Sequence, residues 1–146
     1  MAEPRTDLQF IAGVGYNDAK FDEFGANSGN RIPFAPKFTA SAATQFRLRA
    51  GEVGSFTLRG ECNYRDHYYV QPGNAPSDLV AGYGLVNARV TFASQSERYQ
   101  AQLWVKNLAD KSYLSDRGAP LGGLLGSTSV VYGKPRTYGL KLSARF

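Results

Sequence analysis

Every second residue from Tyr138 to the end of the chain is apolar or aromatic: Tyr138, Leu140, Leu142, Ala144 and Phe146. The residues between them (Gly139, Lys141, Ser143, Arg145, with Thr137 ahead) include no large apolar side chain. Alternation with a period of two means an extended strand, because successive side chains leave opposite faces. A soluble sheet can carry such a strand. Aromatics at both ends of the apolar face, however, match the interfacial girdles of a transmembrane β-strand.

Five earlier segments have the same pattern. The first, about Asp7 to Asn17, sets Leu8, Phe10, Ala12, Val14 and Tyr16 on one face. Lys37 to Arg49 sets out Phe38, Ala40, Ala42, Phe46 and Leu48, with Thr44 as the polar exception. Ser55 to about Tyr69 gives Phe56, Leu58, Gly60, Cys62 and Tyr64, and Tyr83 to Ala93 gives Val86, Ala88, Val90 and Phe92. Tyr99 to about Asn107 gives Tyr99, Ala101, Leu103 and Val105. The connections alternate: a long loop to Pro36, a short turn at Ala50–Gly54, a loop from Val70 to Gly82, a short turn at Ser94–Arg98, then a long Gly-rich loop. Outer-membrane barrels have this habit, with short periplasmic turns and longer extracellular loops. A periplasmic C-terminus puts both short turns on the periplasmic side.

The aromatics supply a second test. Phe10, Phe46, Phe56, Phe92, Tyr99 and Phe146 fall at the periplasmic ends of the apolar faces, and Tyr16, Phe38, Tyr64 and Tyr138 at the outer ends. Eight residues of tilted strand span on the order of 20 Å along the membrane normal, close to the apolar band of a barrel.

Composition sets the remaining bounds. No run approaches the roughly 18 apolar residues of a membrane helix, and the 16 glycines with 9 Tyr, 9 Phe and 1 Trp suit an all-β chain. The net charge of +5 comes from scattered Lys and Arg that alternate with apolar residues. They form strand faces and no basic cluster, so nucleic acid is not an expected partner. One cysteine excludes a disulfide framework and a Cys-based metal site. The first residues lack the basic and apolar regions of a signal peptide.

Six antiparallel strands have two free edges, and each unpaired backbone group in hydrocarbon costs several kcal/mol. Closing six strands alone would leave no room for inward Arg, Lys, Glu and Trp side chains. The expected fold is therefore all-β: six strands in a meander, forming the last portion of a larger transmembrane β-barrel.

Trp104-Val-Lys-Asn-Leu-Ala-Asp-Lys-Ser-Tyr113 resembles the penultimate-strand motif of TonB-dependent outer-membrane receptors, and Tyr132-Gly-Lys-Pro-Arg-Thr-Tyr-Gly-Leu140 resembles their closing strand. The motif positions are Trp104, Asn107, Leu108, Asp110, Tyr113, Pro135 and Arg136. Gly15–Phe21, Gly29–Pro36 and Tyr83–Arg89 are similar to upstream signatures. The resemblance implies a 22-stranded barrel closed by a plug, of which residues 1–146 would be the last strands without the plug. It implies TonB-powered uptake of a scarce ligand such as a ferric siderophore, a vitamin or a glycan, in a Gram-negative outer membrane. The partners implied are lipid, the rest of the barrel, the plug and, only through the plug, the TonB complex. The terminal set Tyr138, Leu140, Leu142, Ala144 and Phe146 resembles the signal read by the barrel-assembly machinery.

No enzyme, metal or cofactor is expected. Asn107 and Asp110 are expected to shape a strand exit through side-chain-to-backbone bonds. His67, the only histidine, has no Gly-x-Ser-x-Gly to serve. With Tyr68, Tyr69, Leu124 and Leu125 it is a candidate for ligand or rim contact. Cys62 falls on the lipid face. The competing expectations are a small porin-like barrel formed by oligomerising chains and a soluble β-sandwich binding module.

Overall fold

In the computed structural model, which describes residues 6–118 and 129–146, the six alternating segments form one antiparallel sheet. Its long strands are β1 (Thr6–Tyr16), β2 (Phe38–Arg49), β3 (Gly54–Arg65), β6 (Tyr83–Ser94), β7 (Tyr99–Lys106) and β10 (Thr137–Ala144), and each pairs with its neighbour in chain order. β4 (Tyr68–Tyr69) pairs with β5 (Leu79–Val80), and β8 (Leu114–Arg117) with β9 (Val130–Tyr132). Of these short strands, β5, β8 and β9 stand in connections expected to be plain loops.

One expected boundary is corrected. The third strand was expected to reach Tyr69, and it stops at Arg65. Asp66 makes the last bond toward β2, to the Phe38 carbonyl at 2.9 Å, and its carboxylate then accepts the His67 N–H at 2.8 Å. That side chain turns the backbone out of the sheet. Tyr68 and Tyr69 start a separate ladder.

Register puts the apolar sets side by side. Leu8, Phe46, Leu58, Val90, Leu103 and Leu140 form one continuous row across all six strands. On the opposite face the corresponding row reads Gln9, Gln45, Arg59, Arg89, Trp104 and Gly139. The apolar face is the bare one: Phe10 is 72% exposed and Leu142 70%. Among the described residues no second sheet covers it, which removes the β-sandwich alternative, since a sandwich hides this face between two sheets. Among the described residues the buried apolar side chains are Tyr68, Val70 and Val80, all in the connection between β3 and β6.

The aromatic ends show how the strands lie. Along the pairing direction, Tyr138 stands six residues below the row that holds Tyr16 and Phe38. At the other end, Phe146 stands eight residues below the row of Phe10. Both aromatic lines thus slant the same way across five strand intervals. With about 3.3 Å per residue and about 4.8 Å between strands, the slants correspond to strand tilts of about 40° and about 48°. Barrel strands tilt by about this much, and two parallel aromatic lines at that slant mark two flat interfaces.

The two short turns are built by residues that accept unusual backbone. Gly51 and Gly54 have φ of 57° and 133°, and a side chain at Gly54 would run into the Ala93 carbonyl. In the second turn Glu97 takes φ 54°, its N–H bonding the Ser94 carbonyl at 2.9 Å.

Candidate functional site

The long connections converge at the outer end of the sheet and tie into one rim. Asn74 bonds the Arg31 backbone twice, accepting its N–H at 2.7 Å and donating to its carbonyl at 3.0 Å. Asn30 donates to the Pro72 carbonyl at 2.9 Å, and the Phe34 N–H to the Tyr69 carbonyl at 2.9 Å. These bonds join the β1–β2 loop to the β3–β6 loop. The third loop enters through the Tyr68 hydroxyl, which donates to the Ser115 carbonyl at 2.9 Å, and through Arg117, which donates to the Ser77 carbonyl.

Arg65 is the hub beneath this rim. Its guanidinium lies 4.6 Å from the Tyr68 ring centre and 5.1 Å from that of Tyr83, and donates to both hydroxyls at 3.2 and 2.9 Å. The Tyr83 ring packs on Tyr113 at 4.3 Å, and Tyr113 covers Gly133, where any Cβ would enter the ring. Burial raises the Tyr68 hydroxyl above its ordinary pKa against the opposing Arg65 charge, so it stays protonated and able to donate.

His67 sits in a three-residue latch. Its Nδ1 faces the Asp66 carboxylate at 2.8 Å and its Nε2 faces Arg31 at 3.1 Å. With the carboxylate accepting from Nδ1–H, Nε2 is left as the acceptor for the Arg31 N–H. Burial works to raise the Asp66 carboxyl, but the His67 N–H groups and the Arg31 charge outweigh it and hold the group below its ordinary range. This arrangement joins two loops.

Of the candidate contact residues, His67 and Tyr69 lie partly exposed on the rim, their rings edge-on at 6.4 Å. Tyr68 is 3% exposed, so its place is inside the rim as a builder. Leu124 and Leu125 lie outside the described residues.

The Trp104–Tyr113 motif closes the third loop at its base. Asn107 is buried with φ 51°, left-handed backbone that asparagine tolerates better than most residues. Its side chain donates to the Lys111 and Lys134 carbonyls at 2.9 and 3.2 Å and accepts the Lys111 N–H at 2.9 Å. Leu108 continues the ladder through its N–H to the Val86 carbonyl at 2.8 Å. Asp110 accepts the Arg136 N–H at 2.8 Å, directly after Pro135, and so fixes the start of β10. Trp104 lies across Gly139, whose Cβ would stand 2.6 Å from the ring. Tyr138, Leu140, Leu142 and Ala144 line the exposed side of β10, and Phe146 stands exposed two residues past its end.

Of the Arg65–Tyr83–Tyr113 stack, Tyr113 was a motif position and Tyr83 opened a signature, while Arg65 and the Asn74 clasp were not singled out in the sequence. For the clasp, the one local signal is the turn-forming run Pro72-Gly73-Asn74. Among the described residues no three of His, Cys, Asp and Glu converge as metal ligands would. A tilted wall, polar on one side and bare and apolar on the other, with a stapled rim above it, is the arrangement of a transmembrane β-barrel wall.

Residues 5–108 match the family described as TonB dependent receptor-like, beta-barrel. The chain belongs to that family. Solved receptors share the fold. The ferric yersiniabactin uptake receptor FyuA from Yersinia pestis superimposes with a TM-score of 0.82 at 18% identity, over 95% of this chain and 21% of that one. The ferric citrate transporter FecA gives 0.78 at 22% identity, over 95% and 21%. The ferric preacinetobactin receptor BauA from Acinetobacter baumannii gives 0.72 at 23%, over 94% and 19%. This receptor barrel segment thus spans about a fifth of the length of each protein it matches.

Proposed function

We propose that this chain is the closing part of a Gram-negative outer-membrane receptor that takes up a scarce ligand with energy from a TonB complex. The ligand class is a ferric siderophore, a vitamin or a glycan. The observation that carries the proposal is the pair of aromatic lines slanting together across a sheet whose apolar face is bare, in a chain of this family. The six strands form one arc of a 22-stranded barrel. Their unpaired edges meet further strands, their polar face meets a plug, and their apolar face meets lipid. The free-standing chain transports nothing, because one arc encloses no path. Phe146 and the alternating residues before it are offered to the assembly machinery on an edge strand, and no enzymatic chemistry is assigned.

Complementation in a strain stripped of its own siderophore receptors tests this. Joined to a plug and the remaining strands, the segment is expected to restore growth on at least one scarce ligand from a panel of ferric siderophores, cobalamin and glycans. The chain alone is expected to restore none. Liposomes that admit small sugars through the chain alone would instead support the porin-like alternative.

A further inference from the structure

Asp66, His67 and Arg31 form a relay whose middle member is the one side chain type that ordinarily changes charge near neutral pH. The imidazole is 39% exposed, so solvent protons reach it. With His67 neutral, its Nε2 accepts from Arg31 at 3.1 Å, and the Asp66 and Arg31 charges cancel. A proton taken up at Nε2 turns both sides of that contact into donors and leaves the relay with a net positive charge. Neither side then has a lone pair to offer, so the bond opens.

The surroundings add to that charge. Lys20 pairs with Arg31 across an antiparallel bridge, and such partners leave the same face, so an exposed second cation stands beside the guanidinium. Of the other charges on that loop, Asp18 is paired with Lys37 at 3.6 Å, and Asp22 and Glu23 lie past Phe21 toward the tip. On its own segment His67 faces Asp66 and, edge-on, the Tyr69 ring. From the connection into β6 it meets Gly82, which brings no charge. Asn74 holds the Arg31 backbone through bonds that do not titrate, so the proton moves a side chain and leaves the loops joined. Two donors that have lost their acceptor are answered by an oxygen anion between them. Lys20 and His67 lie beyond Tyr16 and Tyr64 of the outer aromatic line, so this corner opens to the medium. We infer that Lys20, Arg31 and His67 form a proton-gated oxyanion site, closed by the Arg31–His67 bond and opened when His67 is protonated. Its ligand is a carboxylate, sulfate or phosphate group on a soluble molecule. The site stands on the rim geometry alone, so its failure leaves the uptake reading intact.

His67 is the sole histidine, so nitrogen NMR of the labelled imidazole reads the gate directly. In the 146-residue chain folded in zwitterionic micelles, the neutral ring is expected as the Nδ1–H tautomer, the opposite of the preference of a free histidine side chain. Sulfate keeps its charge throughout this range. It is expected to raise the midpoint of the His67 titration, where chloride at equal ionic strength does not, because proton and anion favour each other reciprocally. Sulfate is expected to bind about tenfold more tightly at about pH 5 than at about pH 8. R31Q is expected to abolish the sulfate effect and restore the ordinary tautomer, and K20Q to weaken the sulfate effect while leaving the tautomer as it is. An Nε2–H tautomer in the unaltered chain overturns the inference. Equal shifts from sulfate and chloride also overturn it, as does a sulfate effect that survives R31Q. The second measurement is calorimetry of sulfate on a receptor that carries this segment, in bilayers. Uptake at acid pH that R31Q removes supports the gate, and uptake indifferent to pH or to R31Q overturns it.

Discussion

Asn107 holds three side-chain hydrogen bonds and a left-handed backbone at a buried position, so few substitutions can replace it. Asn107→Ala is expected to cost roughly 2–4 kcal/mol, because it strands buried carbonyls and an N–H. Asn107→Asp keeps the acceptor but turns a carboxylate oxygen onto the Lys111 and Lys134 carbonyls, so it should cost at least as much, and denaturant midpoints in detergent would rank the two. At Gly139 the constraint is space. Gly139→Ala drives a Cβ into the Trp104 ring and is expected to cost roughly 1–3 kcal/mol. In a Trp104→Ala background the same change should cost far less, and the double-mutant cycle reads that coupling. The Asp66 latch fixes a pH response. Its folded-state pKa lies below the unfolded value, so its contribution is whole at neutral pH and is lost as pH falls through the depressed folded value. Near-UV circular dichroism from the rim tyrosines is expected to show an acid transition as pH falls below about 4, the ordinary aspartate range. Asp66→Asn should remove that acid transition.

Strands were legible in the sequence because a period of two records which side of the sheet a residue takes. All six long strands and both short turns stand where alternation placed them. The misplaced boundary, at Tyr69, passed over a break in the pattern, because Asp66 puts a carboxylate where alternation asks for an apolar residue. That carboxylate, bonding its neighbour's N–H, ends the strand. The rim was less legible, since Asn74 on Arg31 and Tyr68 on Ser115 are contacts between residues more than forty positions apart. Nothing local announces them. Parity itself can be tested: Leu58 lies on the bare apolar face and Thr57 on the polar one. Leu58→Arg is expected to cost roughly 2–4 kcal/mol for folding into lipid vesicles, while Thr57→Arg should cost little, since charge is penalised on the lipid side only. Equal costs would mean that the two faces see the same surroundings.

The whole molecule inverts the usual order of a soluble sheet, with its aliphatic and aromatic residues outward and its arginines on the half-covered side. That inversion explains why a chain with a mean hydropathy of -0.35 can belong in a membrane. One apolar residue in two is enough for a strand, where a helix needs an unbroken run. It also explains the edges. β1 and β10 each have one long-strand neighbour, so their outer backbone groups require partners before they can enter hydrocarbon. Cys62 offers the most direct test of lipid contact, because it is the only cysteine and sits on the apolar face between Ala42 and Val86. A nitroxide attached there, in a receptor that carries this segment with Cys62 as its single cysteine and reconstituted in bilayers, should collide freely with oxygen and rarely with a water-soluble nickel chelate. The same label at the neighbouring position in a C62A/N63C variant should show the opposite preference. A Cys62 label open to the nickel chelate and no richer in oxygen collisions than its neighbour would contradict the account.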